Sequence, residues 1–103
     1  MKRLTLGTLA LLAAASFLGA EEKKNVLFIA GRPSHGPGEH EHNAGVQLLA
    51  AGLVQGASSL VNVDVSLNGQ WPSDDRVAKA DTIVIYSDGG GGHPALPHLE
   101  QLS

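Results

Sequence analysis

Residues 25–43 constrain the fold more than any other part of the chain, and they read NVLFIAGRPSHGPGEHEHN. The apolar run Val26–Ala30 has no alternating polar positions, which is typical of a strand buried on both faces of a parallel sheet. The loop that follows, residues 31–38, contains three glycines and two prolines and is therefore predicted to be irregular. Because ligands of open α/β sheets bind beyond the carboxyl ends of the strands, this polar loop is where a functional site is expected.

A helix is predicted after this loop. Apolar residues recur at positions 46, 49, 50, 53, 57 and 60, and this spacing predicts an amphipathic helix that crosses over to the next strand. His42 lies one turn before Val46 on the same face and is predicted to point inward. Gly45 has no side chain and is expected to let the helix approach the sheet closely.

Two more strands are predicted further along the chain. Val61–Leu67 alternates apolar and polar residues, which indicates a half-exposed strand near a sheet edge. Thr82–Tyr86 is a second continuous apolar run and indicates another central strand. The other predicted features are a turn at 68–69, a short helix over 74–79 with Ser73 as its N-cap, and a last helix that begins after residue 94.

This order of elements predicts an α/β fold with parallel strands, right-handed crossovers and the spatial strand order 2-1-3. In that order the third strand lies at the edge of the segment, although its sequence suits burial on both sides. We therefore expect further strands beyond Ser103 and a three-layer, doubly wound parallel sheet that this segment does not complete.

The composition limits the kinds of ligand. The chain of 103 residues fits a single domain, has a formal net charge of −3 and contains few aromatic residues. No nucleic-acid partner is expected, because such surfaces combine basic patches with stacking residues; a small neutral or cationic ligand suits the charge better. The sequence contains no cysteine, so any metal ion would be bound by histidine and carboxylate.

The first twenty residues resemble a targeting sequence. Lys2 and Arg3 precede the apolar run Leu9–Leu18, and small residues follow it. An uncleaved membrane anchor is the alternative, but the run is shorter than the roughly 20 residues that span a bilayer. We predict a signal peptide over 1–20, a charged leader over 21–24 and an exported domain over 25–103, which touches a membrane only before the signal peptide is removed.

Three loops leave the carboxyl ends of the predicted strands, and they should converge on one edge of the sheet. They carry most of the chemically active side chains, namely His35, His40, His42, Trp71, Asp88 and His93. Imidazole and carboxylate groups transfer protons in enzymes. The predicted catalytic residues are therefore His35, His42, Asp88 and His93. Asp88 has an alternative role as a cap for the glycine turn that follows it.

A divalent metal ion is a candidate cofactor, with His40, His42 and His93 as its ligands. Asp88 can take the place of His93 or add a fourth ligand. The two histidines of a His-x-His pair face opposite ways on a helix. His40 and His42 can therefore share one ion only if His40 still lies in the loop. The alternative is that these histidines only donate and accept hydrogen bonds in a polar pocket.

Two further features are predicted to contact a ligand. Gly89, Gly90, Gly91 and Gly92 can bring backbone amides close to a ligand hydroxyl or anion, although no Lys-Ser/Thr pair follows them as in a phosphate-binding loop. A tight loop without ligand contact is the alternative. Trp71 can stack on a sugar ring or, alternatively, plug the end of the sheet.

Three motifs resemble the trehalose-utilisation (ThuA-like) family: FIAGRPSHGPGEHEHNAG, the Trp-Pro pair at 71–72, and IVIYSDGGGGHP. The resemblance covers residues 25–103, with one departure, because Gln70 interrupts the family's Gly-Trp-Pro pattern. It implies the flavodoxin-like fold of the class I glutamine amidotransferase-like superfamily, of which this chain would be an N-terminal part. Members generally lack the catalytic cysteine of the amidotransferases, so glutamine hydrolysis is not implied.

The resemblance also implies a role in the metabolism of trehalose and related disaccharides, including oxidised keto-sugars. Two hypotheses follow from it. In the first, the chain belongs to an exported carbohydrate-processing enzyme whose histidines are acid–base groups or metal ligands. In the second, it is a sugar-binding or accessory domain that uses the same crevice without turnover. A small carbohydrate is the expected partner in both.

Overall fold

A computed structural model describes residues 21–103, and the predicted signal peptide lies outside these residues. Strands and α-helices follow one another in the predicted order. They are β1 (Lys24–Ala30), α1 (His42–Ala57), β2 (Val61–Ser66), α2 (Asp74–Lys79), β3 (Thr82–Tyr86) and α3 (Leu99–Leu102). Short 3₁₀ helices at Gly90–Gly92 and Leu96–His98 connect β3 to α3.

The three strands form a parallel sheet with the order β2-β1-β3, which confirms the predicted strand order. β1 begins at Lys24 rather than at Val26. Lys24, assigned from the sequence to the charged leader, pairs with Val61 of β2, and its backbone N–H donates to the carbonyl of Leu60 at 2.9 Å. The leader over 21–24 therefore contributes its last residue to the sheet.

β1 is buried on both faces, as its apolar run predicts. Residues 27–30 are each at most 5% exposed. Because consecutive residues of a strand point to opposite faces, Phe28 packs with Val46 of α1, whereas Ile29 packs with Val77 of α2. The fold is thus an α/β arrangement in which a parallel sheet has helices on both faces.

The first turn of α1 lies close to the sheet because residue 45 is a glycine. A Cβ atom at Gly45 would stand 2.5 Å from Cε1 of Tyr86, a distance that real side chains do not adopt. His42, the first residue of the helix, is 4% exposed. The predicted inward orientation of His42 and the predicted close approach at Gly45 are both confirmed.

The buried stripe of α1 is narrower than the sequence pattern predicts. Val46 and Ala50 are buried, but Leu49 and Leu60 are 53% and 64% exposed. Leu49 lies to one side of the stripe, and Leu60 follows the end of the helix. Assigning these two leucines to the inner face was therefore wrong.

β2 and β3 are the outer strands of the described sheet. In β2 the predicted alternation is confirmed as far as Val65, because Asn62 and Asp64 are exposed while Val63 and Val65 are half-buried. It was wrong at Ser66, which is buried. The three central residues of β3 are only half-buried, since β3 pairs with β1 on one side alone. Among residues 21–103, no helix is both long and apolar enough to cross a bilayer.

Candidate functional site

Backbone hydrogen bonds tie the carboxyl ends of the three strands together. The N–H of Gly31, just after β1, donates to the carbonyl of Tyr86 at 2.8 Å, and the N–H of Gly69, after β2, donates to the carbonyl of Ala30 at 2.9 Å. Both positions need glycine, because a Cβ atom at either one would collide with the facing loop. The three loops therefore start from one edge of the sheet, as predicted.

The first turn of α1 is fixed to the loop after β2 by two hydrogen bonds between asparagines. Asn43 Nδ2 donates to Asn68 Oδ1 at 2.7 Å, and the backbone N–H of Asn68 donates to Asn43 Oδ1 at 2.9 Å. Asn68 and Gly69 have φ angles of 59° and 69°, and Gln70 N–H donates to the Leu67 carbonyl at 3.1 Å. These are features of a type I′ turn, so the turn predicted at 68–69 is confirmed.

His40 lies in the loop that precedes α1, because the helix begins only at His42. Its φ angle is 47°, in the left-handed region that few residues other than glycine adopt. A hydrogen bond spans this part of the loop: the backbone N–H of Gly38 donates to Glu41 Oε1 at 2.7 Å. His40 and His42 can therefore approach one common neighbour, as the sequence argument required.

That neighbour is Asp88, in the loop after β3. Its Oδ1 accepts a hydrogen bond from His40 Nδ1 at 2.8 Å and lies 3.4 Å from His42 Nε2. Its Oδ2 lies 3.8 Å from His35 Nε2. The side chains of His35 and His40 are 47% and 54% exposed, and they border a depression of about 240 Å³ formed by the β1–α1 loop. The Asp88 carboxylate thus lies within 3.8 Å of three imidazoles beside a polar crevice.

His42 differs from the other two histidines because it is buried. Its side chain is 3% exposed, and its ring stands edge-on to Tyr86 with the ring centroids 5.1 Å apart. Nδ1 lies 3.1 Å from the carbonyl oxygen of Arg32. A carbonyl only accepts hydrogen bonds, so Nδ1 carries the proton and Nε2 is left facing Asp88. The contact between Nε2 and the Asp88 carboxylate is favourable when Nε2 also carries a proton or when a cation lies beside it.

Asp88 is held in its ionised form. The hydroxyl of Ser34 and the imidazole of His40 lower the pKa of the Asp88 carboxyl, outweighing the opposing effect of partial burial. An ionised carboxylate attracts protonated imidazoles and metal ions alike. The cluster can therefore exchange protons at an imidazole nitrogen or bind a divalent cation.

The structure also shows which side chains are arranged to share a metal ion. Within residues 21–103, one such group is found, and it consists of His35, His40 and Asp88, whose ligand atoms all lie within 4.8 Å of one another. Of the ligands predicted from the sequence, His40 belongs to this group. His42 contacts the same carboxylate from its buried side, and His93 belongs to a different depression.

That second depression has a volume of about 270 Å³ and is lined by His93 and Trp71 among others. His93 Nδ1 accepts a hydrogen bond from the N–H of Ala95 at 3.2 Å. The Trp71 ring stacks on His98, with centroids 4.3 Å apart and planes 3° apart, and its Nε1–H donates to Gln101 Oε1 at 2.8 Å. One face of the indole is thus covered by His98, which is itself half-buried.

Arg32 joins the two depressions. Its carbonyl accepts the hydrogen bond from His42, while its side chain lines the second depression with Gly91 and Gly92. A Cβ atom at Gly92 would stand 3.2 Å from Arg32 Nη2, so the glycine leaves room for the guanidinium. Within residues 21–103 the Arg32 guanidinium forms no ion pair.

Sequence reasoning missed Arg32 and Ser34. Neither residue belongs to a recognisable spacing, and each lies in a loop whose conformation has no periodicity. Their place directly after the buried strand β1 was the available signal, because the carboxyl end of a central strand is where ligands bind. A basic residue at that place deserved the same weight as the histidines.

A further depression, of about 270 Å³, lies near the opposite edge of the sheet, between α2 and the first residues of β1 and β2. Two of its charged groups, Arg76 and Asp64, already satisfy each other. Arg76 Nε and Nη2 donate to Asp64 Oδ2 and Oδ1, both at 2.8 Å. We therefore place the candidate site at the carboxyl edge.

No family model, curated protein or solved structure matches the chain. The fold and the site together define its class. It is an α/β protein with a parallel sheet, helices on both faces and a histidine–aspartate cluster at the carboxyl edge.

Proposed function

We propose that the chain belongs to an exported carbohydrate-processing enzyme of the ThuA-like family. The substrate is a small disaccharide, trehalose or a related sugar that carries an oxidised keto group. The proposal includes the finer fold class, a three-layer, flavodoxin-like sheet of the class I glutamine amidotransferase-like superfamily. The sequence motifs and a parallel sheet with the expected strand order support it.

The observation that carries the proposal is the position of Asp88 among three imidazoles at the carboxyl edge of the sheet. Ligands of open α/β folds bind at this edge. Sugar hydroxyls both donate and accept hydrogen bonds, and a carboxylate beside imidazoles supplies partners for both. The crevice therefore suits a neutral polyhydroxyl ligand better than an apolar one.

His42 and Asp88 transfer the proton in this proposal. The hydrogen bond from Nδ1 to the Arg32 carbonyl fixes the ring, so a proton taken up by His42 goes to Nε2, 3.4 Å from Asp88 Oδ1. The carboxylate stabilises the imidazolium that forms, which is what a general base requires. Because His42 is buried behind Asp88, the proton passes from the sugar through the Asp88 carboxylate. The electron pair that it leaves stays on the hydroxyl oxygen or, when the proton comes from the carbon next to a keto group, forms the enolate of that group.

The remaining candidate residues bind the sugar. His35 and His40 are half exposed beside Asp88 and border the first depression. Arg32 lines the second depression together with Trp71 and His93, and its carbonyl binds His42, which borders the first. The second depression holds the second ring of the disaccharide in this proposal.

The test uses the full chain with trehalose and with its keto-derivative, and it follows both binding by calorimetry and product by mass spectrometry. We expect conversion of the keto-sugar, and a loss of turnover of about 100-fold or more in His42→Gln and in Asp88→Asn. Asp64→Asn is the matched control, because it removes a carboxylate from the opposite edge of the sheet, and it should retain turnover.

Two results would count against the proposal. If neither sugar binds, the assignment to carbohydrate is wrong. If the sugars bind with the same affinity to the protein and its variants but are never converted, the chain is the sugar-binding domain of the alternative hypothesis and not an enzyme.

A further inference from the structure

The exposed side of the Asp88 cluster has the composition of a metal site. His35 and His40 offer two imidazole nitrogens and Asp88 a carboxylate oxygen, and the three ligand atoms lie within 4.8 Å of one another. We propose that His35, His40 and Asp88 bind one divalent transition-metal ion. This deepens the proposed function, because it adds a Lewis acid to the same crevice, but it rests on the geometry of these three side chains alone.

The distances between the ligand atoms fit a small ion. Zinc binds imidazole nitrogen and carboxylate oxygen at about 2.0–2.2 Å with tetrahedral geometry, which separates two ligand atoms by about 3.3–3.6 Å. His35 Nε2 and Asp88 Oδ2 are 3.8 Å apart, and His40 Nδ1 and Asp88 Oδ1 are 2.8 Å apart. These two separations involve the two different oxygens of the carboxylate, and they lie on either side of the tetrahedral value.

The ligand types select the class of metal. Imidazole suits zinc, nickel, copper and iron, whereas calcium and magnesium are bound by oxygen atoms. Two imidazoles and one carboxylate also leave at least one coordination position for water or substrate, as in catalytic rather than structural sites. Because His35 and His40 are about half exposed, a sugar oxygen can reach that open position.

The surroundings fix the ligands in place. His42, buried and fixed by the Arg32 carbonyl, lies 3.4 Å from Asp88 Oδ1 on the inner side and limits the movement of the carboxylate. His40 adopts a left-handed backbone conformation with a φ of 47°, a strained state that often marks a functional position. An ion on His40 Nδ1 replaces the hydrogen bond to Oδ1, and the ring proton then resides on Nε2.

The direct test is calorimetric titration of Zn²⁺ into the full chain, purified without a polyhistidine tag. We expect one ion per chain. Affinity should fall in Asp88→Asn and His40→Asn by more than the roughly 10- to 100-fold that loss of an outer partner costs. Asparagine is chosen at position 40 because it tolerates the left-handed backbone. His35→Gln gives a third, exposed position that does not depend on that backbone conformation.

His93→Gln is the matched control, because it removes a histidine from the same sheet edge but from the other depression. It should bind Zn²⁺ as the unchanged protein does. Substituting Co²⁺ provides a second readout, since its visible spectrum reports nitrogen and oxygen ligands in tetrahedral geometry. Circular dichroism of each variant confirms that it is folded before its affinity is compared.

Two results would overturn the inference. One is Zn²⁺ affinity that is unchanged in Asp88→Asn and in His35→Gln. The other is a loss in His93→Gln as large as that in His40→Asn, which would restore the set predicted from the sequence. Zinc binding without conversion of any sugar would refute the proposed function and leave the metal site standing. Conversion of a sugar by a protein that binds no zinc would do the reverse.

Discussion

Two aspartates at opposite edges of the sheet show how differently the same side chain is used. Asp64, on β2, is bound by both nitrogens of the Arg76 fork at 2.8 Å. Asp88, after β3, is surrounded by three imidazoles at 2.8 to 3.8 Å. Both carboxyls have a pKa below the ordinary value, Asp64 because of the Arg76 guanidinium and Asp88 because of the Ser34 hydroxyl and His40.

The difference lies in the partners. A guanidinium is permanently charged and matches both carboxylate oxygens, so the Asp64 pair is complete and has no use for a ligand. Imidazoles gain and lose protons near neutral pH and bind metals when neutral. Asp88 therefore remains available to a proton, a metal ion or a sugar. A lowered carboxyl pKa alone does not separate a structural carboxylate from a functional one, but the identity of its partners does.

The largest expected effect is on metal affinity. Asp88→Asn removes the only carboxylate ligand of the proposed site and should weaken Zn²⁺ binding by more than about 100-fold. Asp64→Asn should leave Zn²⁺ binding unchanged. Parallel Zn²⁺ titrations of the two variants measure the difference. Equal losses of Zn²⁺ affinity in both variants would mean that the two aspartates do not differ in metal binding.

Two glycines of α1 differ in how closely other residues pack against them. Gly45→Ala forces a methyl group against the Tyr86 ring, whose edge supports His42, and should destabilise the fold by about 1–3 kcal/mol. Gly52→Ala meets no atom within 4 Å and should stabilise the helix by about 0.5–1 kcal/mol. Urea unfolding of both variants checks this. Similar shifts in the two would show that α1 is not held closely at its first turn.

The backbone of His40 gives a smaller effect. At a φ of 47°, glycine avoids the left-handed cost of roughly 1–2 kcal/mol that alanine incurs. His40→Gly should therefore be about 1 kcal/mol more stable than His40→Ala, although neither can ligate a metal. Thermal unfolding of the pair without added metal measures the difference. An advantage for alanine would mean that the loop does not hold this conformation in solution.

The smallest effect concerns acid stability. The pKa of Asp64 is lower in the folded protein than the value of about 3.9 in an unfolded chain. Its contribution is therefore complete above about pH 4 and disappears as the pH falls through the folded value. Because both side chains are more than a third exposed, we expect at most about 1 kcal/mol. Asp64→Asn should lower stability at pH 7, and its difference from the unchanged protein should shrink below pH 4.

The pH dependence of Zn²⁺ binding should differ from that of the Asp64 pair. Imidazole ligands must be neutral to bind a metal, so protons compete with the ion. Zn²⁺ affinity should therefore decrease as the pH falls, before the Asp64–Arg76 pair is lost. If zinc binding persists to pH 4, carboxylates rather than histidines bind the ion.

Much of the fold could be predicted because burial leaves a periodic trace in the sequence. The unbroken run in β1 reflects a strand covered on both faces, and the spacing of Val46 and Ala50 reflects a helix lying on it. The strand order followed from the rule for crossover connections. The error at Leu49 arose because helical spacing does not show how wide the covered stripe is.

The site could be predicted only as a set of residues that share one edge. Which of them meet depends on loop conformation, which has no period. The left-handed φ of His40 turns its ring to Asp88, and the 3₁₀ turn Gly90–Gly92 places His93 after a separate bend. Neither feature is encoded by hydrophobic pattern. The metal set predicted from the sequence therefore contained His42 and His93, whereas the structure groups His35 and Asp88 with His40.

A crystal structure of the full chain grown with Zn²⁺, with anomalous data at the zinc edge, would show directly whether the Asp88 cluster binds a metal ion. We expect one strong peak within about 2.0–2.2 Å of ligand atoms from His35, His40 and Asp88, and none beside Asp64 and Arg76. A peak at His93 and His98, or no peak although Asp88 keeps its three imidazole neighbours, would contradict the proposed metal site.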